Sequence, residues 1–255
     1  MLGRWLREAR EEAGLSQAEV AHRAGALVLV DAAQTAGLVP IDMKAMGIDL
    51  LAFAGHKDLL GPPGTGGLVI GEGVDAASME PLLRGGTGSR SESEEQPEDL
   101  PDRFESGTLN LPGIAGLGAS LAWIRERGID ALRAHNARLG SMLRKGLSSI
   151  PGLRLYGADD PDRRLAVTSF TIEGMRVSEV GMRLDEDHGI MSRVGLHCAP
   201  AAHRSLGSFP EGTVRLSPGP FTTEDEIAAA VAAVARIAGA RDARARNAQP
   251  TAARG

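Results

Sequence analysis

The chain contains 255 residues, of which 42% are hydrophobic and 24% are charged. This composition is sufficient to bury one large core or two modest ones, and it excludes a disordered chain. A net charge of -5 and an aromatic content of only 3% argue against a nucleic-acid partner, which would require a basic face and stacking platforms.

Compartment and metal content are also constrained by the composition. No apolar run approaches the roughly 20 residues of a membrane span, and the charges within residues 1–10 do not fit a signal peptide. Cys198 is the only cysteine, so it cannot form an internal disulfide, and there is no Cys-x-x-Cys pair for structural zinc. We therefore expect a cytoplasmic protein with no membrane segment and no metal site.

Residues 1–25 are predicted to form two short helices. Gly14 can end the first, and Ser16 with Glu19 forms a capping box for the second. This run resembles the first two helices of Cro/C1-type repressor domains. Residues 26–30, however, favour a strand where such a domain needs its recognition helix, and the charges of the segment balance. We expect a helix-turn-helix-like but incomplete segment.

Residues 26–134 change to a pattern of strands and glycine-rich loops. Strands are predicted at residues 26–30, Leu50–Ala54 and Gly67–Ile70. The first is entirely apolar, which is typical of a strand buried on both faces of a parallel sheet. Residues 85–105 are rich in glycine, serine and acidic residues and predict an exposed loop.

The second half of the chain predicts a small α+β domain over residues 135–238. Helical spacing over Gly113–His135 and Ile129–Ile150 leads into it. Its predicted strands are Leu153–Tyr156, Leu165–Ile172, Ile190–Arg193 and Val214–Ser217, and its predicted helices are Ser178–His188 and Thr223–Ala238. Residues 239–255 carry four arginines against one acid and predict a disordered tail.

Lys57 and Asp31 are the strongest candidates for chemistry, because each stands where a predicted strand ends. A lysine next to glycines suits Schiff-base formation with a carbonyl such as that of pyridoxal phosphate (PLP). A carboxylate suits the other end of the same ring, because it keeps the pyridine nitrogen protonated. Spacing alone leaves open a solvated surface lysine and an aspartate that only caps the next helix.

Four longer segments, in this order, resemble the class V aminotransferase family and, within it, the cysteine desulfurase-like branch. The segments are VDAAQTAG, AFAGHKDLLGPPGTGGLVIG, RFESGTLNLPGIAGLGASL and GIMSRVGLHCAPAAHRSLGSFPEGTVRLSPGPFTTEDEI. The resemblance covers about residues 26–238. It implies part of an aspartate aminotransferase-like large domain, with a mostly parallel sheet, followed by a small C-terminal α+β domain.

The resemblance also implies roles for residues of the first half. Lys57 matches the PLP Schiff-base lysine, Asp31 the partner of the pyridinium nitrogen, and Gln34 the side chain that bonds the phenolic oxygen. His56 matches a histidine that helps to hold the cofactor phosphate. Thr108 matches a threonine that reaches the cofactor of the neighbouring subunit, so a homodimer with shared active sites is expected.

In the second half, the resemblance implies a desulfurase. Arg215 matches the arginine that binds the substrate carboxylate, for which a guanidinium is well suited. Arg193 belongs to the same motif, with its role left open. Cys198 matches the nucleophile that takes sulfur from L-cysteine, leaving an enzyme persulfide, L-alanine and a need for a sulfur-acceptor protein. Such a thiol must be accessible and deprotonated, which His197 and Arg193 would favour if they face it.

Two alternatives qualify this interpretation. In the family, a long N-terminal half supplies a phosphate-binding turn, a ring-stacking residue and several strands, whereas only 25 residues precede Ala26 here. A truncated, catalytically impaired family member is therefore one alternative. The other is a DNA-binding regulator with an enzyme-derived domain, which only the N-terminal segment supports.

Overall fold

A computed structural model of the chain describes residues 10–90 and 92–247, and the side chains of all of these except 162 and 241–247. The chain divides into two compact units, which we call unit 1 (up to Asp130) and unit 2 (from Ala131). No helix in the described ranges is both long and apolar enough to cross a membrane.

Unit 1 combines a small sheet with helices. Its helices are α1 (Gln17–Arg23), α2 (Met43–Met46) and α3 (Leu111–Arg127), its strands are β1 (Leu29–Asp31), β2 (Leu50–Ala54) and β3 (Gly66–Ile70), and a 3-10 turn covers Ala76–Ser78. The three predicted strands are therefore present, although the first is displaced toward its carboxyl end. The short helix α2 was not predicted.

The sheet of unit 1 is mixed. β1 and β2 pair in parallel with Asp31 opposite Ala52, whereas β2 and β3 pair antiparallel with Ala54 opposite Gly66. The predicted α/β class is confirmed, but within the described residues the sheet is not mostly parallel. The reason is that residues 55–65 are too few for the crossover of about a dozen or more residues that a parallel neighbour requires.

The second predicted N-terminal helix is confirmed as α1, with both bonds of its capping box. Ser16 Oγ accepts from the Glu19 N–H at 3.1 Å, and Glu19 Oε2 accepts from the Ser16 N–H at 2.7 Å. Asp49, just before β2, accepts from the Val28 N–H at 2.7 Å and bonds His22 Nε2 at 3.0 Å. These bonds attach the end of α1 to the sheet. The first predicted helix lies mostly outside the described residues.

Unit 2 packs helices against an antiparallel sheet. Its helices are α4 (Ile129–Ser148), α5 (Val177–His188), α6 (Pro200–Leu206) and α7 (Glu224–Asn247), its strands are β4 (Leu153–Tyr156), β5 (Thr168–Ile172), β6 (Arg193–Gly195) and β7 (Thr213–Leu216), and a 3-10 turn covers Pro161–Arg163. The strand order is β4-β5-β7-β6, with every pair antiparallel. This is an α+β arrangement, as predicted, with the unpredicted helix α6 added.

One buried apolar cluster forms the core of unit 2 and joins three of its helices to the sheet. It includes Leu139, Leu143 and Leu147 of α4, Phe170 and Ile172 of β5, Val180 and Leu184 of α5, Val214 and Leu216 of β7, and Val234 and Ile237 of α7. The three leucines of α4 recur every four residues, so they share one face of the helix. Burial of this face holds α4 on unit 2.

The predicted disordered tail at 239–255 is partly wrong. Helix α7 continues to Asn247, and only residues 248–255 lie outside the described part of the chain. The helix extends because the sequence beyond Ala238 consists largely of alanine and arginine, which are both strong helix formers.

Candidate functional site

Asp31, Gln34 and Lys57 lie at the same edge of the sheet of unit 1. Asp31 is the last residue of β1 and Lys57 follows the end of β2, and because these strands are parallel neighbours their carboxyl ends meet. Asp31 Oδ1 accepts from the Ala33 N–H at 2.9 Å, and Gln34 is exposed in the turn that follows. The edge therefore offers a carboxylate, an amide and an ammonium group.

The loop that carries Lys57 is held rigidly by its glycines. The Gly55 N–H donates to the Thr65 carbonyl at 2.8 Å, and the Gly61 N–H donates to the Gly55 carbonyl at 2.7 Å. A Cβ at Gly55 would lie 2.2 Å from Thr65 Oγ1, and one at Gly61 would lie 2.9 Å from the Gly55 oxygen. Glycine is thus required for the close approach that fixes residues 56–60.

A partly buried carboxylate, Asp58, adjoins Lys57 and was not predicted from the sequence. Burial raises the pKa of Asp58, and the positive charge of Lys57 partly offsets this effect. The loop also approaches the turn after β1, because a Cβ at Gly37 would lie 2.4 Å from the Asp58 carbonyl oxygen. The only sequence signal for Asp58 is its place between a lysine and an apolar pair in a glycine-rich loop.

His56 and Thr108 are both exposed. His56 immediately precedes Lys57, so it lies at the edge already described. Thr108 stands before α3 and lines a surface cavity of about 370 Å³ with the glycines of residues 86–88 and with Gly107. Among the hydrogen bonds of the described residues, none joins Thr108 to Lys57 or Asp31.

Arg193, Cys198 and Arg215 lie together around strands β6 and β7 of unit 2. Arg193 and Arg215 are direct neighbours in the antiparallel pair. Arg193 Nη2 is 3.7 Å from Cys198 Sγ, within the range of a weak N–H···S contact, and Cys198 is exposed. Arg215 Nε is buried and has no hydrogen-bond partner within the described residues. An unpaired donor on a guanidinium is suited to an incoming anion.

Cys198 occupies a tight turn. The Ala199 N–H donates to the Leu196 carbonyl at 2.8 Å, and the two central residues have left-handed backbones, with φ of 49° at His197 and 62° at Cys198. Positive φ at both positions defines a turn that normally favours asparagine and glycine. The thiol is therefore presented on a strained segment.

The His197 ring is directed at β7. Its Nε2 lies 3.1 Å from both the carbonyl oxygen and Oγ1 of Thr213, and its Nδ1 is buried with no hydrogen-bond partner in the described part of the chain. Burial lowers the pKa of His197, and the neighbouring Arg215, His203 and Arg193 lower it further, whereas the hydrogen bond with Thr213 raises it. The role of Thr213 could not be predicted, because only the pairing of β6 with β7 brings it to the ring.

The described residues contain no group of three or more histidine, cysteine or acidic side chains placed to bind a metal ion. His203 lies near His197, with ring centroids 5.6 Å apart, but its Nδ1 is bonded to Ser208 Oγ at 2.7 Å.

Unit 1 has an α/β fold in which a lysine and a carboxylate lie at the carboxyl ends of two parallel strands. Unit 2 presents a cysteine next to a pair of neighbouring arginines. A model of the family described as "Aminotransferase class-V" matches residues 16–229. The chain belongs to the class-V aminotransferase family. The match includes α1, which the predicted boundary at residue 25 assigned to a separate segment.

Several of the similar proteins bear desulfurase names. A "Probable cysteine desulfurase" of Methanothermobacter thermautotrophicus is 42% identical over 82% of this chain and 52% of its own length. The apo structure of a cysteine desulfurase from Thermococcus onnurineus superposes with a TM-score of 0.78 at 32% identity, over 88% of this chain and 55% of that one. The structure of the Escherichia coli cysteine desulfurase CsdA superposes with a TM-score of 0.74 at 30% identity, over 87% of this chain and 55% of that one. The chain spans about half the length of these proteins.

Proposed function

We propose that this chain acts as a PLP-dependent cysteine desulfurase, converting L-cysteine to L-alanine and leaving a persulfide on Cys198. The observation that carries the proposal is the grouping on β6 and β7. An exposed thiol lies 3.7 Å from the Arg193 guanidinium, and the neighbouring Arg215 has a buried Nε without a partner among the described residues. A sulfur nucleophile and a carboxylate-binding donor are both needed by this reaction.

The residues at the edge of the sheet in unit 1 fit PLP chemically. Lys57 would bind its carbonyl carbon, Asp31 its pyridine nitrogen and Gln34 its phenolic oxygen, while His56 would contribute to holding its phosphate. The tight glycine approaches at Gly55 keep the lysine loop fixed, which limits the entropy lost on binding. Bound PLP supplies an electron sink for the substrate carbon that bears the sulfur.

The side chains of unit 2 would act on the substrate directly. Arg215 binds the carboxylate of L-cysteine and so orients it. The Cys198 thiolate forms a new S–S bond to the substrate sulfur as the C–S bond breaks, and the carbon that loses sulfur takes up a proton to become the methyl group of alanine. The balance is L-cysteine plus Cys198–SH giving L-alanine plus Cys198–S–SH, with no external oxidant.

The partners are part of the same proposal. Thr108, which is exposed, would contact the cofactor of a second subunit in a homodimer. The persulfide would pass to a sulfur-acceptor protein, to which the exposed Cys198 is accessible. A single cysteine used as a nucleophile suits the reducing cytoplasm.

The first test is cofactor binding. The protein is purified with PLP and its visible absorption recorded for the wild type, Lys57→Ala and the control Lys145→Ala, which removes an exposed lysine on α4. We expect the absorption of bound PLP in the wild type and the control, and its loss in Lys57→Ala. A colourless wild-type protein under saturating PLP contradicts the proposal.

The second test is product formation. L-Cysteine is added with a thiol reductant, and sulfide, alanine and pyruvate are quantified for the wild type and Cys198→Ser. Equal amounts of sulfide and alanine, abolished by the substitution, support desulfuration. Pyruvate that persists in Cys198→Ser would instead indicate β-elimination, a different lyase reaction, and a keto acid that still carries the thiol would indicate transamination.

A further inference from the structure

The turn at residues 196–199 gains little stability from its own residues. His197 and Cys198 both have left-handed backbones, and neither is a glycine or asparagine, the residues that tolerate this region best. One hydrogen bond, from the Ala199 N–H to the Leu196 carbonyl, closes the turn. Strained backbone of this kind persists only where the surrounding structure holds it.

The His197 side chain is the part of the turn that is attached to the interior. Its Nε2 bonds Thr213 on β7, and Thr213 is only 1% exposed. The ring packs at a 47° angle against the ring of His203, which is itself buried and held by Ser208. The ring therefore fixes the surface turn to a strand and a helix that belong to the body of unit 2.

We propose that His197 is the positioning residue of Cys198: its ring, anchored on Thr213, holds the 196–199 turn in the conformation that places Cys198 Sγ beside Arg193. His197 acts through the backbone rather than on the sulfur. This differs from the expectation that the imidazole faces the thiol, because Nε2 is directed at β7 instead. The catalytic importance of Cys198 rests on the proposed function, whereas the anchoring of the turn by His197 rests on the structure alone.

The experiment measures hydrogen exchange of the Ala199 amide by NMR in the full chain. We expect His197→Ala to lower protection of this amide roughly tenfold, as expected for the loss of one hydrogen bond and its packing. His197→Gln should keep the protection of this amide within about threefold of the wild type. A glutamine side-chain amide reaches about as far as the histidine Nε2 and can also donate to Thr213. Retained protection in His197→Gln would show that the hydrogen bond to Thr213, and not the packing of the imidazole ring, holds the turn.

Two controls show that the effect is local. The Gly189 amide, which donates to the Asp185 carbonyl at 2.9 Å at the end of α5, should be unchanged in both variants. The variant His135→Ala removes another histidine whose Nε2 lies 3.0 Å from a backbone carbonyl, that of Thr222, and it should leave Ala199 protected.

Three results would overturn the inference: unchanged Ala199 protection in His197→Ala, equal loss in His197→Gln with Gly189 intact, or loss in His135→Ala. Should His197→Ala fail to fold, His197→Asn decides. Asparagine tolerates the left-handed backbone but is too short to reach Thr213, so it should lose protection while unit 2 stays folded. Absence of desulfuration with the anchoring pattern intact would contradict the proposed function alone.

Discussion

Replacing Gly55 with alanine is expected to displace the loop that carries Lys57. A Cβ at this position would lie 2.2 Å from Thr65 Oγ1, closer than any normal contact. Thr65 Oγ1 is bonded to the Pro62 carbonyl at 2.7 Å, so moving the hydroxyl away breaks that bond. The backbone cannot yield easily, because Gly55 is bonded through its N–H to Thr65 and through its carbonyl to Gly61.

The cost follows from these contacts. Overpacking of this kind destabilises by about 1–3 kcal/mol, and the broken hydrogen bond adds about 1 kcal/mol. We therefore expect Gly55→Ala to lower the free energy of unfolding of unit 1 by roughly 2–4 kcal/mol. Urea unfolding followed by tryptophan fluorescence measures it, because Trp123 lies on α3 of unit 1. The PLP concentration needed for half-maximal visible absorption should also rise.

The matched control is Thr65→Ala, which removes the hydroxyl that the new Cβ would strike. In that background, Gly55→Ala should cost at least about 1 kcal/mol less than in the wild type, because a double-mutant cycle isolates the interaction between the two sites. Effects that add to within about 0.5 kcal/mol would refute the idea that this contact requires glycine.

The remaining predictions concern the core and the pH dependence of stability. Leu143→Ala should destabilise unit 2 by about 2–5 kcal/mol in urea unfolding followed by circular dichroism, because Leu143 is fully buried; a smaller loss contradicts the assigned core. Asp58→Asn should raise the unfolding midpoint at neutral pH, because burial raises the pKa of Asp58 and disfavours its charge, and the gain should vanish in acid. Asp49→Asn should instead lower the unfolding midpoint at neutral pH. Hydrogen bonds from Val28 and His22 lower the pKa of Asp49, so the ionised carboxylate stabilises the fold at neutral pH, and this stabilisation is lost as the pH falls through the lowered pKa. Burial and nearby positive charges lower the pKa of His197, so wild-type stability should fall on acidification below the ordinary imidazole range, and His197→Gln should lack this component.

Local patterns in the sequence determined most of the helices and strands of this protein. The capping pair Ser16 and Glu19, the four-residue spacing of leucines in α4 and the apolar run of β2 each act over a few neighbouring residues. Such short-range preferences can be read from the chain itself. The candidate residues also followed from the sequence, through the four segments that carry the family resemblance.

The tertiary structure decided what depends on distant pairing. The antiparallel direction of β3, the partial burial of Asp58 and the extension of α7 to Asn247 were not predicted. The sequence placed His197 beside Cys198, but only the pairing of β6 with β7 brings Thr213 to the ring. The physical reason is that burial and hydrogen-bond partners arise from contacts between segments far apart in the chain, whereas periodicity and capping arise within one segment.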